Sequence, residues 1–259
     1  MSQPRRVLIT GCSSGIGRAL AQTLSERGLH VIATARNPAA LEPLDAAQKL
    51  ALDVTSKDSV AAAVATAGDI DVLVNNAGIG LWGPLEGASL DQVHRLFDTN
   101  VYGPLRMLRA VLPRMRQRRS GTIIQISSVA GRVSGPLVGI YAASKQALEA
   151  CSEALRIELA PFNIGVAIVE IGAVESAFPK NRESAGLSGY DEVTERFTRR
   201  LMAARTAPAT SDEVARAIAD IVQAETVKLR YMATADAERL IAERHAQSDE
   251  QWERALLDG

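Results

Sequence analysis

The stretch Arg6-Val-Leu-Ile-Thr10-Gly-Cys-Ser-Ser-Gly-Ile-Gly17 decides the fold. Arg6 to Thr10 reads as a short strand, and the glycines Gly11, Gly15 and Gly17 lead straight from it into a helical pattern near residues 15–27. Glycine lets backbone amides approach a pyrophosphate, and a helix N-terminus attracts the same anion through its unpaired N–H groups. Ser13, Ser14 and Ile16 lie between those glycines and share the predicted contact. The spacing Gly-x-x-x-Gly-x-Gly differs from the Gly-x-Gly-x-x-Gly of the usual dinucleotide fingerprint. A glycine-rich turn alone can be a plain connection; after the first strand of a parallel sheet it predicts a dinucleotide.

Outward from this loop, short apolar runs, most of them rich in Val and Ile, recur at His30 to Thr34, Lys49 to Leu52, Val72 to Asn75, Thr122 to Ser127, Gly165 to Glu170 and Leu229 to Met232. Helical patterns near 56–67, 89–118, 140–160 and 211–224 lie between them. That alternation predicts an α/β fold: a doubly wound parallel sheet covered on both faces, three layers in all. Such sheets bind ligands beyond the carboxyl ends of their strands. With 259 residues, 47% of them hydrophobic, and no Pro/Gly/Ser-rich linker, the chain reads as a single domain.

A net charge of −1 provides no overall field for nucleic acid or an anionic membrane. Arg114, Arg116, Arg118 and Arg119 could form a basic patch, but a helix end complementing its own dipole explains them better. Cys12 and Cys151 make no disulfide framework, no signal peptide precedes the first strand, and no apolar run reaches the roughly 20 residues of a membrane span. A reduced, cytoplasmic protein is expected. Residues 173–208 break the alternation, being polar with scattered Phe178, Leu187, Tyr190, Phe197 and Leu201, and are expected to form a mobile substrate lid or a merely structural insertion. A helical extension follows at about 234–257, with a capping-box start at Ser248 to Gln251 and Trp252 and Leu256 on one face.

Several residues at strand and helix positions predict chemistry. The second strand ends Thr34-Ala-Arg36, where a carboxylate would hold the ribose hydroxyls of NAD; Arg36 offers a planar cationic fork for a 2′-phosphate, so NADP(H) is favoured over NAD(H), unless Arg36 is a solvated loop residue. Tyr141 and Lys145, four apart in a helical pattern, share one face about 5 to 6 Å apart at Cβ. Bringing a phenol from about 10 to about 7 takes about 4 kcal/mol, more than a solvated pair supplies, so the site must be partly dry and receive a second positive charge. Pro104 lacks the amide that would bond the carbonyl of Asn100, which is thereby freed to hold a water.

Taken together, the glycine loop, Leu52-Asp-Val54, Asn75-Asn-Ala-Gly78, Asn100, Ile126-Ser-Ser128 and Tyr141-x-x-x-Lys145 resemble the short-chain dehydrogenase/reductase family from about residue 5 to residue 176. The resemblance implies a Rossmann fold and the following roles. Tyr141 is the acid/base, Lys145 holds the nicotinamide ribose and lowers the Tyr141 pKa, and Ser128, thirteen residues before the tyrosine, bonds the reacting oxygen. Asp53 and Val54 meet the adenine, Asn76 and Ala77 line the cofactor cleft, and the Asn100 carbonyl joins a proton relay from Lys145 through water. Asp53 can equally serve a turn, and Asn75 can simply brace strands. The family's Pro-Gly after the sixth strand is here Ile171-Gly172, which predicts nicotinamide binding by Gly172, Val174 and Ser176 on a less rigid loop.

Within the family the likeness is to hydroxysteroid and retinol dehydrogenases, through Gly11-Cys-Ser-Ser14 and Val174-Glu-Ser-Ala-Phe178. Leu81, Trp82, Phe178 and the segment Val133 to Ile140 predict mostly apolar pocket walls, hence a small hydrophobic ketone or alcohol substrate. No metal ligand is expected. The resemblance implies a homodimer or homotetramer, through the helices near 89–118 and 140–160. Competing readings are a non-catalytic NADP(H)-binding sensor or scaffold and an epimerase or dehydratase.

Overall fold

A computed structural model describes residues 4–175, 182–204 and 208–258. Seven parallel strands form the main sheet: β1 (Arg6–Ile9), β2 (His30–Ala35), β3 (Gln48–Ala51), β4 (Val72–Asn75), β5 (Gly121–Ile126), β6 (Ile164–Glu170) and β7 (Arg230–Met232), in the order β7-β6-β5-β4-β1-β2-β3. Parallel strands need crossovers, and the helices that make them are α1 (Gly15–Glu26), α2 (Lys57–Ala67), α3 (Leu90–Phe97), α4 (Gly103–Arg118), α5 (Gly139–Leu159) and α7 (Ser211–Gln223), with α6 (Asp191–Ala204), α8 (Ala235–His245) and α9 (Asp249–Asp258) added. The chain winds outward in opposite directions from β1 and β4, which opens a crevice at their carboxyl ends.

Alternation along the strands divides the core into two layers. Val7, Ile9, Val72 and Val74 pack with Leu20 and Leu24 of α1 and Val214, Ile218 and Val222 of α7 on one face. Leu8 and Leu73 pack with Val60 of α2 and Met107, Val111 and Met115 of α4 on the other. Both faces are therefore dry, which is why these strands read as nearly unbroken aliphatic runs.

The helix expected over 89–118 is not continuous. Ser89 and Gln92 start α3 with a capping box, a π turn follows over Asp98–Tyr102, in which the Gly103 N–H reaches back to the Asp98 carbonyl, and α4 begins at Gly103. Pro104, at the second position of α4, has no amide to continue the regular ladder, and Gly103 lies so close to Val54 that a Cβ would stand 2.9 Å from its Cγ2. In the region expected to be a lid, Arg182–Ser184 pairs in parallel with Gly80–Trp82, Val174–Glu175 pairs with Ala209–Thr210, and Phe197 of α6 meets the Trp82 ring at 5.5 Å. Ser176 and Phe178 lie outside the described residues. Ser248 and Gln251 cap α9 reciprocally, and Arg244 lies over the Trp252 ring.

Candidate active site

The glycine loop turns on two left-handed residues, Gly11 (φ +77°) and Gly15 (φ +55°). Gly17 serves packing: a Cβ there would overlap the Asn76 side chain and the Gly11 carbonyl. Asn76 Nδ2 donates to the carbonyls of Thr10 (2.9 Å) and Gly11 (3.1 Å), and Thr10 Oγ1 accepts from the amides of Asn76 and Ala77 at 3.0 Å each. The ends of β1 and β4 are thus stitched together beneath the crevice. Asn75 braces strands, donating to Gln125 Oε1 at 3.0 Å. Ser14, the N-cap of α1, makes no capping bond through its side chain, so it leaves the first-turn amides at the cavity uncapped.

One cavity of about 470 Å³ runs along these strand ends. It brings together Gly11, Ser13, Ser14, Gly15, Ile16 and Gly17 with Arg36, Asp53, Val54, Asn76, Ala77, Ser128, Tyr141, Lys145, Gly172 and Val174. Arg36 is exposed just past β2. Asp53 accepts from the Thr55 amide (2.9 Å) and hydroxyl (2.7 Å), so it serves a turn while also lining the cleft. Burial raises its pKa, but those bonds and the charges of Arg36 and Arg106 outweigh burial and hold the carboxyl below its ordinary value.

At the far end α5 carries Tyr141 and Lys145 on one face. Lys145 is buried; its ammonium donates to the Ile126 carbonyl at 2.9 Å and stands 5.9 Å from the Tyr141 ring centre. Ser128, just past β5, accepts from the Ala130 amide at 3.2 Å, and its side chain is hydrogen-bonded to that of Tyr141. Burial pushes the phenol up to about 12 against that bond, and pushes the ammonium down to about 8 against the nearby Glu149 charge. The expected lowering of the Tyr141 pKa is therefore reversed among the protein's own groups: drying the site weakens the acid more than its polar neighbours strengthen it.

Asn100 is buried outside the cavity wall. Its Oδ1 accepts from the Ile79 amide (2.9 Å), while Nδ2 donates to the Ile79 carbonyl (2.9 Å) and Ser144 Oγ (3.1 Å). The Ser144 hydroxyl in turn donates to the Tyr141 carbonyl at 2.7 Å. The side chain thus ties the loop after β4 to the first turns of α5, and its backbone carbonyl sits inside the π turn.

The turn after β6 is held by side chains at the start of α8. The Gly172 amide donates to Thr234 Oγ1 (2.9 Å) and the Ala173 amide to Asp236 Oδ2 (2.7 Å), and a Cβ on Gly172 would overlap the Asp236 carboxylate. Two side chains at the start of α8 supply the restraint that a proline would otherwise give. A Thr at the cap position just after the last strand was the available signal, but nothing local shows what it clasps. The walls are mostly apolar, as expected from Leu81, Trp82 and Val138, with Arg182, Asp236 and Arg239 adding polar groups, and the Arg182 guanidinium lies 4.9 Å over the Trp82 ring.

A family model described as short chain dehydrogenase matches residues 5–186. The chain belongs to the short-chain dehydrogenase family. It is 47% identical over 188 residues to retinol dehydrogenase 8 of Homo sapiens, a match covering 68% of this chain and 60% of the human protein. It is 40% identical over 252 residues to estradiol 17-beta-dehydrogenase 1 of Rattus norvegicus, covering 88% and 73%. A solved short-chain dehydrogenase from Streptomyces avermitilis superposes with a TM-score of 0.87 at 36% identity, over 95% of this chain and 94% of the other. As a short-chain dehydrogenase, the chain is a member of an oxidoreductase family, and a phenol, an ammonium and a hydroxyl meet in the cavity that the glycine loop also lines.

Proposed function

We propose that this short-chain dehydrogenase interconverts a ketone or aldehyde and an alcohol on a mainly hydrophobic small molecule, with NADP(H) favoured over NAD(H). The meeting of Ser128, Tyr141 and Lys145 at one end of a cavity whose other end is the glycine loop carries this reading. The coenzyme would be held by Arg36, Asp53 and Val54 at its adenosine end and by Asn76, Ala77, Gly172 and Val174 at its nicotinamide end, with the first turn of α1 at the pyrophosphate. Bound there, it supplies or accepts a hydride.

In the reductive direction the Tyr141 hydroxyl gives its proton to the developing alkoxide and Ser128 donates a hydrogen bond to the same oxygen. Lys145 stabilises the resulting tyrosinate, and water held by the Asn100 carbonyl would return the proton. Oxidation reverses these transfers. A cytoplasmic setting fits the exposed, unpaired Cys151, and no helix of the described residues is long and apolar enough to cross a membrane.

Tyr141→Phe keeps the ring and removes the proton. Turnover with a panel of hydrophobic ketones and alcohols, followed by NADPH oxidation and NADP reduction, is expected to fall at least a hundredfold with the coenzyme dissociation constant little changed. Retention of more than a tenth of wild-type turnover would rule out Tyr141 as the acid.

A further inference from the structure

Glu149 is a buried carboxylate with no part in the proton transfers above, one helical turn beyond Lys145 on α5. At that spacing the two side chains share a face. The Ser127 hydroxyl donates to Glu149 Oε1 at 2.6 Å, and Gly131 passes so close that a Cβ would overlap the carboxylate and stand 2.7 Å from the Ser127 hydroxyl. The turn between those two residues carries Ser128. Its seat on α5 is therefore the Glu149 carboxylate.

The other charges facing Glu149 are shared. Arg230 of β7 reaches Glu149 (3.2 Å), Glu170 at the end of β6 (3.0 Å) and Glu153 of α5, while Arg132 adds a second cation to Glu170 (3.3 Å) and meets His245. Two arginines thus serve three carboxylates. Burial, and after it the Glu170 charge, hold the Glu149 carboxyl above its ordinary value against the Ser127 bond and Arg230, and Lys145, one turn earlier on α5, is the third cation whose charge Glu149 favours. Around Lys145 itself stand Tyr141, the Ile126 carbonyl, the Gly78 backbone and Glu149, and the last is the carboxylate that favours its charge.

Resting on the reading of Tyr141 and Lys145 above, we infer that Glu149 is a positioning residue of the reaction: it keeps Lys145 protonated and seats the Ser128 turn against the tyrosine helix. The two roles separate experimentally. In Glu149→Gln the amide oxygen can still accept from Ser127 while the charge is lost, so the buried ammonium gives up its proton more readily. The alkaline limb of the kcat profile in the reductive direction is expected to move down by about one pH unit, a tenfold change in lysine acidity. Well below the limb, kcat and the coenzyme KM are expected to stay within about threefold of wild type.

Ser127→Ala keeps the charge and removes the clasp, so it should lower kcat at every pH and leave the limb in place. A wild-type limb in Glu149→Gln, or an equal shift in Ser127→Ala, overturns the inference. Should Glu149→Gln not fold, Glu149→Asp retains the charge and is expected to hold the limb within about half a pH unit; a full-unit shift there sinks it equally. Labelling of Lys145 by an amine-reactive acylating agent across pH, read by mass spectrometry, reports the same shift without turnover. A silent substrate panel with a shifted labelling profile would count against the proposed reaction and leave the role of Glu149 standing.

Discussion

Arg36 is the side chain that we propose selects between two coenzymes. It stands exposed one residue past β2, and its charge is felt at Asp53 across the end of β3. A guanidinium facing a 2′-phosphate makes charge-assisted hydrogen bonds of about 1.5 to 3 kcal/mol, worth roughly tenfold to more than a hundredfold in binding. The KM for NADPH is accordingly expected to lie at least about tenfold below that for NADH, and Arg36→Ala should erase most of the difference; a tenfold preference for NADH in the wild type would overturn the assignment. Tyr141 and Lys145 show the opposite dependence on context. Their spacing is legible from the chain, but burial, which drives the phenol up and the ammonium down, exists only once β5 and the loop after β4 close over them.

Elements decide how firmly the reacting groups are held. The central strands β1, β2, β4, β5 and β6 were legible because they are dry on both faces and so consist largely of aliphatic residues in a short run, and the observed strand ends depart from the expected ones by one residue at most: Thr10, Leu52 and Ser127 fall just past β1, β3 and β5. The break in the helix expected over 89–118 was legible only as a missing amide at Pro104. The chain answers with a π turn, beside which Gly103 presses against Val54, a residue far away in sequence. The same holds for the clamp from α8 onto the turn after β6. Asp236→Ala removes the acceptor for the Ala173 amide, and a lost bond of about 1 kcal/mol at that turn is expected to raise the coenzyme KM by about fivefold with little change in melting temperature. An unchanged KM would show that the clamp does not bear on the coenzyme.

At the scale of the whole molecule, apolar side chains remain uncovered on the helices that the family commonly uses for assembly. Ile157 of α5 is 74% exposed, and Tyr102 and Leu105, at the junction into α4, are 51% and 36% exposed. We propose at least a dimer through these helices. Light scattering is expected to give twice the chain mass or a higher even multiple, and Ile157→Glu should lower it by placing an unpaired charge in a dry contact; a wild-type monomer at micromolar concentration would reject the assembly. The alternation of short aliphatic runs with amphipathic stretches, the glycines after β1 and the spacing of Tyr141 and Lys145 were determined by the sequence itself, since each rests on local periodicity and local backbone freedom. The clasp of Thr234 and Asp236 on Gly172 and Ala173, the approach of Arg182 and Arg239 to the cavity and the charge cluster around Glu149 were decided by the tertiary structure alone. Each of these depends on charges, hydrogen-bond partners or close approaches contributed from distant parts of the chain, and no window of neighbouring residues contains that information.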